Sequence, residues 1–262
     1  MMEVNSIQHW LMQARKSLET VEYPELEARL ILGKAIGRDK TWLAAHPEST
    51  LSSEILTAVD QLLQTRLSGK PLPYILTEWE FFGLSFFVNE HVLIPRPETE
   101  LLVEEALAFL KKQKGYCKAA DIGTGSGCIA VSIAKYHPGV TITAADISHD
   151  ALQTAKNNCA RHAVLDRVHL VHMNLMAGLN TRFHLICANL PYIPSKTLDN
   201  LPVKNHEPIL ALDGGVDGLD YIKTLLMQAR DKLHPEGQLL AEIEYTQEKA
   251  VMSLANTFTG FW

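Results

Sequence analysis

Two short segments carry residues whose types and spacing can do chemistry. In the first, AADIGTGSGCIAVSIA, Asp121 is followed by Gly123, Thr124, Gly125, Ser126 and Gly127, between an apolar run and a helical stripe. Glycines at alternate positions let the backbone turn sharply and approach a ligand without Cβ interference, and the following helix offers unpaired N–H groups at its start. A dinucleotide fingerprint would place its third glycine at 128, where Cys128 stands, and no Gly-Lys-Ser/Thr follows as a P-loop requires. Taken alone, these residues read either as a small-molecule site or as a tight turn. In the second segment, the run FHLICAN ends on Asn189 and continues Leu190-Pro191-Tyr192. The Asn189 side-chain oxygen and the main-chain carbonyl of Leu190 can each accept one N–H of a planar NH₂ group. Pro191 stiffens the turn and Tyr192 offers a flat wall. The plain alternative is an asparagine capping a strand-to-loop turn beside an ordinarily packed tyrosine.

The Gly-x-Gly-x-Gly run after Asp121 resembles the first motif of S-adenosylmethionine-dependent methyltransferases. Asp146 closes the next apolar run, 23 positions after Gly123. A carboxylate there can accept hydrogen bonds from both ribose hydroxyls, each worth roughly 1.5–3 kcal/mol, and Ser148 is better placed to cap the helix that follows. Asn174 and Leu175 fall where the adenine should lie, with Asn174 either on the base edge or a plain turn residue. Asn189-Leu190-Pro191-Tyr192 is similar to the [Asn/Asp]-Pro-Pro-Tyr motif of methyltransferases acting on planar amino or amide nitrogens, with Leu190 in place of the first proline. An amide nitrogen shares its lone pair with the carbonyl, so it is a poor nucleophile and must be held with its π face toward the methyl group. Acceptors at Asn189 and at the carbonyl of residue 190, which Leu supplies as well as Pro, fix that orientation and favour the charge that builds on nitrogen. No dedicated base is needed, and His172, His184, His206 and His234 are scattered.

These residues must be positioned by regular elements. Apolar steps of three and four residues (Ile7, Trp10, Leu11, Ala14, Leu18; PELEARLILGKAIG; Ile55 to Leu67) predict a helical domain over 1–72. Aromatic and β-branched residues over 73–97, with Gly83 in a turn, predict a hairpin linker. From 98 to 262, helices over 98–113, 127–136, 149–161, 218–233 and 246–256 alternate with strands over 118–122, 140–146, 167–172, 184–189 and 237–243. That alternation predicts an α/β fold with a doubly wound, Rossmann-like parallel sheet.

Composition excludes other classes. The 262 residues are 47% hydrophobic and 21% charged, as in a globular protein, and no run is long and apolar enough to span a membrane. Without a signal peptide pattern, a cytoplasmic location is expected. Cys117, Cys128, Cys159 and Cys187 show no disulfide or zinc spacing, so no metal is expected. The net charge of −6 and a nearly balanced N-terminal region argue against a protein that grips a phosphate backbone.

Leu93-Ile94-Pro95-Arg96-Pro97-Glu98-Thr99-Glu100, preceded by Pro73-Tyr74-Ile75-Leu76 and Glu80-Phe81-Phe82-Gly83-Leu84, resembles the hallmark of the PrmC/HemK family, the glutamine methyltransferases of peptide chain release factors. The likeness continues through DIGTGSG, Asn-Leu-Pro-Tyr, Glu207-Pro208 and ALDGGVDGLD, and so covers nearly the whole chain. It implies methyl transfer from S-adenosylmethionine to the side-chain amide of the Gly-Gly-Gln glutamine in class I release factors. It also implies that the helical domain docks on that partner. Gly123 to Gly127, Asp146, Asn174, Leu175 and Asn189 would hold the cofactor, and Asn189 to Tyr192 the glutamine. The rivals are a DNA amino-methyltransferase and a non-catalytic paralogue that binds S-adenosylmethionine; a monomer without sequence-specific nucleic-acid binding is expected. Thr77 and Asn174 depart from the family's usual Gly and Asp. The stretch Ile94 to Glu100 reads both as an interdomain turn and helix start, with Pro97 opening the helix and Glu98 and Glu100 in its first turn, and as part of the cofactor pocket's lid. EPILALDGGVDG, residues 207–218, reads either as a loop lining the substrate mouth or as a Gly-rich turn into the helix over 218–233. The family's chains continue through a further strand pair, so the ending at Phe258–Trp262 predicts a fifth strand without its usual antiparallel neighbour, an edge that costs solubility.

Overall fold

The structure, a computed structural model, describes residues 5–258. It divides into two compact units, Met1–Thr77 and Glu78–Trp262. The first is helical: α1 (Ile7–Ser17), α2 (Pro24–Ile36), α3 (Lys40–Ala45), α4 (Ser53–Leu67) and α5 (Leu72–Leu76). Ser6, Asp39 and Ser52 accept hydrogen bonds from backbone N–H groups at the starts of α1, α3 and α4, while Pro24 opens α2 and Gly37, at φ +66°, ends it. Ile7, Trp10, Leu11 and Ala14 pack on Ile31 and Leu32 in one buried core. Three helices were expected; α3 and α5 are too short to show a helical period in sequence.

The hairpin linker expected over 73–97 is shorter. Residues 72–76 belong to α5, and the hairpin is β1 (Glu78–Phe81) with β2 (Leu84–Phe87), closed by Phe82 and Gly83 at φ +52° and +68°. Positive φ at both central residues is the backbone of a tight two-residue hairpin turn.

The second unit continues α6 (Thr99–Lys112), β3 (Cys117–Ile122), α7 (Cys128–Tyr136), β4 (Val140–Asp146), α8 (His149–Arg161), β5 (Val168–His172), β6 (Phe183–Asn189), α9 (Ser195–Leu198), α10 (Asp220–Ala229), β7 (Leu233–Glu242) and α11 (Glu248–Phe258). The sheet runs β5-β4-β3-β6-β7, every pair parallel. Its central strands are buried on both faces, as Ala119, Ala120, Ile122, Leu185, Ile186, Cys187 and Ala188 show. The chain order reverses between β3 and β6, so a crevice opens beyond their C-terminal ends, where doubly wound sheets bind ligands.

The helix expected over 218–233 is confined to 220–229, and β7 begins earlier than expected, at Leu233. A register shift between Phe183 and Leu185 lets β7 carry Pro235 and Glu236 through an irregularity before regular pairing resumes at Gln238. Among the described residues β7 pairs only with β6. Phe258 is still helical; the strand expected to begin at 258 otherwise lies outside the described residues. Among the described residues no helix is long and apolar enough to cross a membrane.

Candidate active site

The loop after β3 sits in the crevice. Gly123, Gly125 and Gly127 all have positive φ (+74°, +54°, +80°), a conformation glycine adopts without strain. Each glycine serves a different contact. A Cβ on Gly123 would lie 2.9 Å from Leu190 Cδ2, so the departure from proline at 190 is packed directly onto this glycine. A Cβ on Gly125 would meet nothing nearer than 4.0 Å and would project into open space. A Cβ on Gly127 would crowd Ala155 of α8 at 3.2 Å.

Asp146, at the end of β4, binds this loop. Its carboxylate accepts from the Gly125 N–H (2.8 Å) and the Ser148 N–H (2.9 Å), while Ser148 caps α8 by accepting from Ala151 N–H. Burial pushes the Asp146 carboxyl above the usual aspartate value, against the pull of these N–H donors. Behind the loop, Asp121 is fully buried, accepting from Thr124 Oγ1 at 2.6 Å and the Ala130 N–H at 3.1 Å. Burial pushes it up to about 7.

The Asn189 loop follows β6, next to Gly123 across the sheet; Ile122 and Ala188 are paired residues. Asn189 Nδ2 donates to Thr99 Oγ1 (2.9 Å), whose hydroxyl donates to Glu242 Oε2 (2.6 Å). With its NH₂ so engaged, the amide keeps Oδ1 as an acceptor. Asn189, Leu190 and Pro191 share one cleft of about 210 Å³ with Gly123 to Ser126, Asp146, Asn174 and Leu175. Leu175 holds φ +50°, a left-handed backbone at the cleft wall that a branched side chain seldom adopts.

Two expected site residues stand outside that lining. Gly127 is required by the close approach of α8. The Tyr192 phenol interacts with Glu242, Arg96 and Glu98, and burial followed by the Glu242 charge raises its pKa. Its carbonyl accepts from Gln247 Nε2, which also donates to Gly218 O. The loop read as a wall of the substrate mouth or as a turn brings Pro208, Leu210 and Ala211 to the cleft, while its glycines lie behind Tyr192. A Cβ on Gly214 would sit 2.8 Å from Pro191 O, and one on Gly218 would overlap Tyr192 O. The glycines let this loop press against the backbone of 191–192 and hold it.

From the stretch expected to form part of the lid, Pro95, Arg96 and Thr99 border the cleft. Glu207, buried, accepts from the Ile94 N–H (3.0 Å) and from Arg96 Nη2 (2.5 Å), tying it to the loop that carries Pro208, Leu210 and Ala211 into the lining. Asn158 was also unforeseen. Its side chain accepts from Phe87 N–H (2.7 Å) and donates to Phe87 O (2.9 Å) and Ser126 O (2.8 Å), joining hairpin, α8 and glycine loop. The available signal was an asparagine on the apolar face shared by Ala151, Ala155 and Cys159.

Comparison with known proteins bears on this arrangement. The PrmC N-terminal domain family matches residues 9–76, and the methyltransferase small domain family matches 98–204. A release factor glutamine methyltransferase of Bradyrhizobium diazoefficiens is 39% identical over 245 residues, covering 92% of this chain and 82% of that protein. One from Moorella thermoacetica is 41% identical over 243 residues, covering 92% and 86%. The chain belongs to the release factor glutamine methyltransferase family. It is an S-adenosylmethionine-dependent methyltransferase, and the fold agrees: the hMettl16 catalytic domain, solved in complex with MAT2A 3′UTR hairpin 6, superposes with a TM-score of 0.53 at 17% identity, covering 75% of this chain and 73% of that one. The cleft fits that cofactor. It has open space over Gly125, an acidic side chain at Asp146, and apolar walls at Val92, Ile129 and Leu175.

Proposed function

We propose that this family member methylates the side-chain amide nitrogen of the glutamine in the Gly-Gly-Gln motif of class I peptide chain release factors, acting as a monomer. The observation that carries the reading is the fixed Asn189 amide, whose NH₂ is committed to Thr99 within the cleft that Gly123, Gly125 and Asp146 line.

Bound S-adenosylmethionine would supply an electrophilic methyl group on a positively charged sulfur. Gly123 to Ser126 offer backbone for close approach, Asp146 accepts from ribose hydroxyls, and Asn174 and Leu175 border the base. Asn189 Oδ1 and the Leu190 carbonyl take one N–H each of the glutamine NH₂, which aligns the nitrogen and stabilises the positive charge building on it. The methylated nitrogen is then acidic enough to lose its proton without a dedicated base. The family match over 9–76 supports a docking role for the helical unit.

Asn189→Ala should abolish methyl transfer to a release factor while leaving cofactor affinity by calorimetry within about twofold, since it removes an acceptor for the substrate. Asp146→Ala should instead weaken cofactor affinity about tenfold or more. Unchanged turnover in the first, or an unchanged dissociation constant in the second, contradicts the role given.

A further inference from the structure

Glu242 lies at the end of β7, paired with Asn189 of β6. It is absent from the cleft lining, yet its carboxylate is one side chain away from the proposed acceptor amide. A carboxylate has no proton to give, so the short bond from Thr99 must use the Thr99 proton. The Thr99 oxygen is thereby left with lone pairs only, and it faces the Asn189 amide at 2.9 Å. In this arrangement Nδ2 forms a hydrogen bond, whereas the flipped amide would set Oδ1 against an oxygen that has no proton to offer. Thr99 is 2% exposed, so water is poorly placed to relieve that conflict.

We infer that Glu242, acting through Thr99, is a positioning residue that fixes which face of the Asn189 amide meets the substrate. The inference rests on the reading of Asn189 as the acceptor of the glutamine NH₂. A flipped amide would point its own NH₂ at the substrate's NH₂, donor against donor, and the nitrogen would lose one of its two orienting bonds.

The two alleles that isolate this logic are Glu242→Gln and Thr99→Val. Glutamine has the shape of glutamate but can donate to Thr99, which frees the Thr99 proton for Asn189 and removes the bias. Valine has the shape of threonine and removes the link. In the full-length protein, with a release factor as acceptor, each should lower kcat about tenfold or more through loss of orientation. The KM for the release factor and the dissociation constant for S-adenosylmethionine should stay within about twofold, since both readouts bypass an interaction made only at the reacting centre. Thr99→Ser should restore the rate, and the double variant Thr99→Val/Glu242→Gln should lose no more than Thr99→Val alone, because the two act in series.

Asn189→Ala in the same assay separates the two layers. If it turns over normally, the acceptor reading itself fails. If it is inactive while Glu242→Gln keeps the full kcat, the acceptor stands and the relay is wrong. Additive losses in the double variant, a failure of serine to rescue, or a loss of cofactor affinity that tracks the loss of rate would each overturn the relay as well.

Discussion

Thr77 holds φ +59°, a left-handed backbone on a β-branched side chain, at the C-terminal end of α5. The family's usual glycine at this place has a direct physical cause, because only glycine enters that region without a Cβ conflict. The Thr77 hydroxyl accepts from Lys34 Nζ at 3.0 Å, an exposed contact of little energetic weight. Thr77→Gly should therefore stabilise the protein by about 0.5–1 kcal/mol, the relief of strain less the added chain entropy of glycine. A lower urea midpoint for the variant would contradict this. At the same scale, Gly123, Asp146 and Asn189 were legible in the sequence because their residue types are tied to one chemistry at one spacing. Thr99 and Glu242 were not. They lie 143 positions apart, and only strand register sets Glu242 beside Asn189. The surroundings of Tyr192 were hidden for the same reason, since Glu242 and Arg96 come from other elements.

At the scale of elements, the alternation of helices and strands from residue 98 onward was readable from periodicity. The linker was not, because α5 and the hairpin are each too short to establish a period. What holds the hairpin to the site is Asn158, wholly buried on α8 and bonded to both polar groups of Phe87 and to Ser126 O. Asn158→Ala would leave the buried Ser126 carbonyl and the partly buried N–H and carbonyl of Phe87 without these partners, at a cost of about 3 kcal/mol. It should also weaken cofactor binding, since Ser126 belongs to the loop that lines the cleft. Denaturation and calorimetry on the same variant check both; a stable variant with unchanged affinity would show that the hairpin and loop do not depend on each other. The glycine loop over 214–218 works alike, by close backbone approach, which is why its glycines read ambiguously from sequence alone.

For the whole molecule, Asp121 links the site to pH. The carboxyl ionises near 3.8 in an unfolded chain and only near 7 in the fold, because burial outweighs the Thr124 and Ala130 donors. A raised acid contributes stability that is complete below its unfolded value and is lost as pH rises through its folded one. The protein without cofactor should therefore lose stability between about pH 4 and pH 7 through this group. Asp121→Asn should flatten that slope: its amide oxygen can accept from Thr124 and Ala130, and its NH₂ replaces an oxygen, Oδ1, that has no hydrogen-bond partner. Equal slopes for the two proteins in chemical denaturation across this range would contradict the assignment.

Mass spectrometry reads out what the cleft acts on. A release factor incubated with the protein and S-adenosylmethionine should gain the mass of one methyl group, confined to the peptide carrying Gly-Gly-Gln and located by fragmentation on the glutamine side chain. A release factor left unmodified at that glutamine, while methyl groups enter DNA under the same conditions, would contradict the account.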